Sequence, residues 1–375
     1  MGKTGKVPSY FNDFLRDIRL TDNQMSDLIT GHQTLRDRLN ADNDLSKIIV
    51  NTFLQGSYRR ATATRPKSGK RSDVDVVVVT NLDKEKYTPE EAHDLFIPFL
   101  EKHYKDKYRI QGRSLGIELS YVDLDLVVTA APSESQKELL EEVGVGSNIS
   151  IDDLKDWTFS KSQDFPQDIR SESFLLFENQ SKDAEWKTEP LYIPNRDAEI
   201  WEPTDPLAQI KWTWEKNKEC NKHYVNVVKA LKWWRRIDDP DGSHPKSYPL
   251  EHLIGQSCPT GIESVAEGVT LTLEAIVNDY PTKPEMSDHG VPEHDVFERL
   301  SEEEYDDFYE RVKVAAELAR EAFDADSVYE SATKWRQLFG SEFPDPPKPK
   351  KDDNKGQTGF SQRNERTTIG GGRFA

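Results

Sequence analysis

The chain of 375 residues carries 50 Lys and Arg against 68 Asp and Glu, a formal charge of −18 at pH 7. A surface this acidic repels a polyphosphate backbone, which excludes a broad, sequence-independent nucleic-acid binder. Hydrophobic residues (35%) and charged residues (31%) are spread along the chain with 8 Trp, 13 Tyr and 16 Phe, so wholesale disorder is excluded and the length predicts about two domains.

In chain order, Phe11, Phe14, Leu15, Ile18, Leu28, Leu35 and Leu39 show helical spacing and predict a helical stretch from Tyr10 to Leu45. Ile48-Ile49-Val50 and Phe53-Leu54 lead into a loop beginning Gln55-Gly56-Ser57. Val74 to Val79 reads as a strand buried on both faces. A helix is expected over Glu90 to Tyr104, then strands at Tyr108 to Gln111 and Gly116 to Thr129. Residues 131–200 are polar and carry little signal. From Asp205 the pattern turns helical: Leu207 to Lys218, Lys222 to Arg236, Leu250 to Ile254, Val265 to Asn278, Glu302 to Phe323 and Ser327 to Phe339. Pro344, Pro346, Pro347 and Pro349 then stop regular structure, and residues 344–375 read as a flexible tail. Seven Lys and Arg against four Asp and Glu give that tail +3, leaving −21 on the body.

Two cysteines, Cys220 and Cys258, build neither a disulfide framework nor a four-thiolate zinc site; they read as small packed hydrophobes in a reducing cytoplasm. The longest apolar run, Val76 to Val79 with Val74, falls far short of the ~18–20 residues of a membrane span. Met1 to Lys6 lacks the apolar stretch of a signal peptide, and Lys6 stands where a myristoylation signal has Ser or Thr.

The chemistry concentrates in Gly56-Ser57 followed, fifteen residues on, by Asp73-Val74-Asp75 at the head of the Val-rich strand. Strand alternation puts Asp73 and Asp75 on one face, where two carboxylates repel unless a cation lies between them. Hard oxygen ligands suit Mg²⁺, with Mn²⁺ as an alternative. Gly56 allows close backbone approach to a phosphate, and Ser57 adds a hydroxyl donor. A two-metal site for phosphoryl transfer needs a third carboxylate from a neighbouring strand. Asp123 and Asp125 share a face of the later strand, and spacing does not choose between them. Either element alone is ordinary loop or strand-mouth chemistry; the combination is what carries weight.

Other clusters are weaker. Asp288-His289 and His294-Asp295 lie in a Gly- and Pro-containing loop without cysteines, so a structural histidine pair outweighs a metal cluster. Gly144-Val145-Gly146 lacks the flanking strand and helix of a dinucleotide site. On the Lys222 to Arg236 helix, Lys229, Lys232 and Arg236 form one stripe, beside an apolar stripe of Tyr224, Val227, Val228, Leu231 and Trp234. A solvated basic face is the ordinary meaning of such a stripe, but a cationic row is also what a triphosphate requires.

Gln55-Gly56-Ser57-Tyr58-Arg59-Arg60 with Ser72-Asp73-Val74-Asp75-Val76-Val77-Val78-Val79 resembles the signature of polymerase-β-type nucleotidyltransferases. Within them it resembles the cyclic GMP–AMP synthase/DncV-like enzymes (CD-NTases) of CBASS antiphage systems. Ser120 to Val127, Trp201 to Trp234, Ser247 to Ile254 and the ending Gly372-Arg373-Phe374-Ala375 resemble clade D of that family. The resemblance implies an α+β fold: a nucleotidyltransferase core with a mixed sheet, flanking helices and a long N-terminal helix over residues 1–204. A C-terminal helical lobe over 205–343 and the tail over 344–375 follow, with the active site in the cleft between core and lobe.

It also implies Asp125 as the third carboxylate beside Asp73 and Asp75, with Asp123 a neighbour that tunes the site. Gln55, Gly56 and Ser57 would bind substrate, Lys232 rather than Lys229 would contact the donor triphosphate, the Ser247 hydroxyl would touch phosphate, and Tyr248 would stack on the base. Two metal ions would align a ribose hydroxyl with the α-phosphate of a nucleotide. The implied product is a cyclic trinucleotide second messenger from ATP and GTP, such as cyclic AMP-AMP-GMP. The implied partners are a ubiquitin-transfer-like enzyme (E1/E2 type) acting on Ala375, or a HORMA-domain regulator, with no DNA or RNA activator and no membrane. Rival readings are a polymerase-β-type transferase acting on RNA or protein, and a catalytically silent nucleotide-binding regulator.

Overall fold

The computed structural model describes residues 7–66, 69–131, 190–240, 242 and 244–347. The Gly144-Val145-Gly146 segment and residues 348–375 of the tail lie outside the described residues.

The chain opens with α1 (Pro8–Ile18) and α2 (Asp22–Ala41). The sequence suggests one long N-terminal helix, and the structure divides it. Thr21 accepts from the Gln24 amide while the Gln24 side chain accepts from the Thr21 amide. This reciprocal cap starts a new helix at Asp22. The two helices serve different cores. Phe11, Phe14 and Ile18 pack with the C-terminal helices, and Leu28, Leu35 and Leu39 pack on the sheet.

The sheet comprises β1 (Ile49–Gln55), β2 (Ser72–Thr80), β3 (Tyr108–Ile110), β4 (Leu115–Glu118), β5 (Val122–Ala130), β6 (Leu191–Asn195) and β7 (Ile200–Thr204). Its order is β1-β2-β5-β4-β3, with β6 pairing β5 and β7. The stretch Gly116 to Thr129, expected as one strand, is a hairpin, closed where the Leu119 amide donates to the Val122 carbonyl at 3.0 Å. The helix expected over Glu90 to Tyr104 is likewise two, α4 (Pro89–Asp94) and α5 (Ile97–Tyr104), with Pro98 in the first turn of the second. Proline lacks an amide and disfavours helical backbone in the residue before it, so the helix restarts there.

β2 is buried on both faces. Val74, Val76 and Val78 meet α2 and α5, while Val77 and Val79 meet Phe53, Leu191 and Leu207. β2 and β5 run parallel, with Asp73 opposite Asp123 and Asp75 opposite Asp125.

Beyond α3 (Gly56–Arg59), the C-terminal helices are α6 (Pro206–Glu219), α7 (Tyr224–Asp238), α8 (Ser247–Ser257), α9 (Val265–Asp279), α10 (Glu302–Phe323) and α11 (Val328–Phe339). Their core holds Trp335, Phe339 and Phe343 against Phe11 and Phe14 of α1, with Phe14 stacked on Phe339 at 4.5 Å. Cys220 and Cys258 are buried free thiols. No described helix is long and apolar enough to cross a membrane.

Candidate active site

β1 delivers Gln55 directly across from Asp75, and the chain turns into the single-turn helix α3 at Gly56. Gly56 has φ +72, and a Cβ there would sit 1.8 Å from an Asp75 carboxylate oxygen. Glycine is required on two counts, left-handed backbone and contact with the carboxylate. Gly69, at φ +79 with nothing near its missing Cβ, is an internal control. Gly69→Ala should cost about 1 kcal/mol of backbone strain and leave activity intact. Gly56→Ala should lower NTP conversion by at least about a hundredfold, because it displaces a carboxylate as well. Steady-state kinetics and melting curves on the pair check this.

Two adjoining cavities flank Asp73. The larger, about 630 Å³, is lined by Gln55, Gly56, Ser57, Arg60, Asp73, Asp75, Gln209, Lys232, Arg235, Arg236, Ser247, Tyr248 and Glu251, among others. The smaller, about 390 Å³, shares Lys70, Arg71 and Asp73 and takes in Arg109, Asp123 and Asp125. Thus Gln55, Gly56, Ser57, Lys232, Ser247 and Tyr248 converge on one cavity, with Asp125 on the neighbouring wall.

The carboxylates are electrostatically frustrated. Burial, then the charges of Asp73 and Asp125, lift the Asp75 pKa to about 7 despite the Arg60 guanidinium. Burial and Asp73 also push Asp125 up, against Arg109 and a hydrogen bond from Gln111 at 3.3 Å. Asp123 differs: Arg71 donates to it at 2.7 Å. The ion pair occupies Asp123 and leaves Asp125 coupled to Asp73 and Asp75. Among the described residues, no three His, Cys, Asp or Glu side chains converge into a ready-made metal cage. The carboxylates nonetheless suit divalent cations: they are hard oxygen donors on facing register positions, and their mutual repulsion is what a bound cation relieves.

The cationic side of the cavity is more organised than the sequence indicated. Lys232 is buried and donates to the Glu251 carboxylate at 2.7 Å and the Thr62 carbonyl at 3.1 Å. Glu251 also accepts from Arg60 at 3.2 Å and Thr62 at 2.9 Å. Burial pushes the Glu251 carboxyl up, but Lys232 and Arg60 outweigh it and hold it below the usual carboxylate range. Lys229, on the same helical stripe, is 3% exposed and outside the cavity lining. Burial, with the Arg19 and Lys232 charges, lowers its pKa far below the ordinary value, so it is no part of a cationic row facing the cleft.

Tyr248 lines the cavity with the Arg60 guanidinium 5.2 Å from its ring centre and its hydroxyl donating to Asp288 at 2.5 Å. His289 packs between Trp212 (3.7 Å between ring centres) and His252 (4.0 Å). Sequence pattern does not single out Arg60, Arg235, Glu251 and Gln209, and it offers Asp288 only beside His289 as a candidate metal cluster, not as the partner of Tyr248. Arg60 and Glu251 stand inside the motifs Gln55 to Arg60 and Ser247 to Ile254, but their pairing spans 191 positions and leaves no local signal.

A mixed sheet carrying paired carboxylates on adjacent strands, a Gly-Ser turn against them and a helical lobe completing the cavity define a polymerase-β-type nucleotidyltransferase. Residues 6–162 match the Second Messenger Oligonucleotide or Dinucleotide Synthetase domain family. The chain is 47% identical to the cyclic AMP-AMP-GMP synthase of Enterobacter hormaechei subsp. hoffmannii (strain UCI 50), covering 97% of this chain and 98% of that one. It is 48% identical to a probable cyclic AMP-AMP-GMP nucleotide synthase of Salmonella paratyphi B, covering 91% and 93%. CdnC in the E. coli MS115-1 CdnC:HORMA-deltaN complex shares the fold, with a TM-score of 0.59 at 16% identity over 90% of this chain and 98% of that one. The chain belongs to the cGAS/DncV-like nucleotidyltransferase (CD-NTase) family.

Proposed function

We propose that this enzyme joins ATP and GTP into a cyclic trinucleotide such as cyclic AMP-AMP-GMP, a second messenger of antiphage defence in the bacterial cytoplasm. The observation that carries the reading is the trio Asp73, Asp75 and Asp125 on paired strands, at two adjoining cavities, the larger of which is also lined by Arg60, Lys232, Arg235 and Arg236. The names of two relatives near half identity support the product.

Two Mg²⁺ held by Asp73, Asp75 and Asp125 would supply charge neutralisation at the transferring phosphate. The chain's own groups do the rest. Lys232 and Arg60 offer positive charge to the triphosphate, and their buried positions fix that charge in advance of binding. The Ser57 and Ser247 hydroxyls donate to phosphate oxygens. The Tyr248 ring receives a base by stacking, a contact of about 1–3 kcal/mol by analogy with single-strand binders. Asp125, its carboxyl already raised, receives the proton of the attacking ribose hydroxyl on a carboxylate oxygen.

Labelled NTPs alone should yield phosphatase-resistant products; a requirement for an RNA or protein acceptor would favour the rival transferase reading. The activating partner in this account is a protein, either a ubiquitin-transfer-like enzyme or a HORMA-domain regulator, since a net charge of −18 suits a nucleic-acid activator poorly. Adding DNA or RNA should leave the turnover rate unchanged, and strict dependence on either contradicts the proposal.

A further inference from the structure

Asp288, 8% exposed, lies behind the cavity lining, in contact with Tyr248 and Gln209, which do line it. One of its oxygens accepts from the Gly290 amide at 2.7 Å and the Val291 amide at 3.1 Å. The other accepts from the Tyr248 hydroxyl at 2.5 Å, and the Gln209 side-chain amide donates to both oxygens at 3.2 Å. The loop carrying Asp288 is locked in place. Gly290 lies so close to the Asp205 carbonyl that a Cβ would come within 2.6 Å of it, and His289 is held between two rings. Burial pushes the Asp288 carboxyl up, but the Tyr248, Gly290 and Gln209 hydrogen bonds outweigh it and keep it ionised.

An ionised carboxylate only accepts hydrogen bonds. The NH₂ end of Gln209 must therefore face Asp288, which turns its carbonyl oxygen the other way. Among the described residues nothing donates to that oxygen. Gln209 and Tyr248 line the same cavity and share one carboxylate, which keeps the Gln209 amide in the cavity that a base stacked on the Tyr248 ring would enter.

We propose that Gln209 is a base-selecting residue, its carbonyl oxygen accepting from an N–H on the edge of the purine stacked on Tyr248, and that Asp288 is the positioning residue that fixes this orientation. The proposal rests on the cavity's reading as a nucleotide site. A fixed acceptor separates purines by chemistry. At C6 adenine carries an amino donor and guanine a carbonyl acceptor, while guanine's donors lie at N1 and its 2-amino group. One purine gains a hydrogen bond where the other meets a second acceptor. The mismatch is penalised because a polar group is left unpaired in a partly buried site.

The test is equilibrium binding of non-hydrolysable ATP and GTP analogues to the full chain, with no turnover required. Wild type should prefer one purine. Gln209→Met keeps the length and removes the amide. It should weaken the preferred analogue about tenfold, leave the other unchanged, and keep the melting temperature within a few degrees. Asp288→Asn should turn the preference toward the other purine. The new NH₂ repels the NH₂ of Gln209, which then rotates and offers the base a donor. A merely structural role for these residues would move both analogues together. Equal affinity of wild type for both, or an unaltered preference in both variants, overturns the proposal alone. Failure of wild type to bind either analogue overturns the nucleotide reading with it.

Discussion

Replacing Asp75 with Asn is expected to abolish cyclic product formation, by at least about a thousandfold, while making the protein more stable in chelator at pH 8. Loss of function follows from removing the central carboxylate of the trio. The gain in stability follows from linkage. The Asp75 pKa is about 7 in the fold, against 3.8 as its ordinary value. Between those values the folded state holds a proton that the unfolded chain has released, so stability falls as pH rises through this window and stays lowered above it. The difference amounts to on the order of 4 kcal/mol, which Asn, neutral at every pH, does not lose. In EDTA the melting temperatures of wild type and Asp75→Asn should converge near pH 4 and separate by several degrees at pH 8. Adding Mg²⁺ should raise the wild type and leave the variant unmoved. Equal melting curves at pH 8 would show that the carboxylates do not strain one another.

The second large effect is expected at Glu251, through which the core and the helical lobe are joined. Glu251→Ala strands Arg60 and Lys232 as buried cations without their counter-ion. Breaking a buried pair from one side costs about 3–5 kcal/mol. Arg60 follows the Gly-Ser turn and Lys232 belongs to α7, so the KM for NTP should rise about tenfold or more in whatever fraction folds. The Glu251 carboxyl is held below its ordinary range, so its contribution is present above the ordinary carboxylate pKa and is lost as pH falls through its depressed value. Chemical denaturation at pH 7 and pH 4 should therefore show wild type and variant drawing together in acid. The double change Lys232→Met with Glu251→Met should recover part of the stability and none of the nucleotide affinity.

Much of this architecture is legible in local pattern. Val76 to Val79 announces a strand buried on both faces because four consecutive β-branched residues leave no solvent side. The helix Glu302–Phe323 is read with both ends in place because Ser301 and Glu304 form a reciprocal cap before an apolar stripe. Periodicity misleads where a short polar interruption outweighs it. Leu119 to Tyr121 continues the alternation of its neighbours yet turns the chain, and Thr21 caps a new helix inside a helical pattern. The carboxylate motif was legible because Asp73 and Asp75 are two residues apart. The Arg60–Glu251–Lys232 cluster and the Asp288 contact to Tyr248 are not, because their partners lie 19 to 191 positions apart and meet only through tertiary packing, within the lobe for Lys232 and Asp288 and between core and lobe for Arg60. Lys229 and Lys232 share a helical stripe, and only packing decides that one lines the cavity and the other lies outside it.

The central claim is tested most directly by mass spectrometry of the product formed by the purified chain from mixed ATP and GTP with Mg²⁺ and no other macromolecule. The account predicts a phosphatase-resistant cyclic trinucleotide containing adenine and guanine, absent from Asp73→Asn and Asp75→Asn preparations that remain folded. A linear product, a product that forms only on an added RNA or protein, or undiminished synthesis by either variant would contradict it.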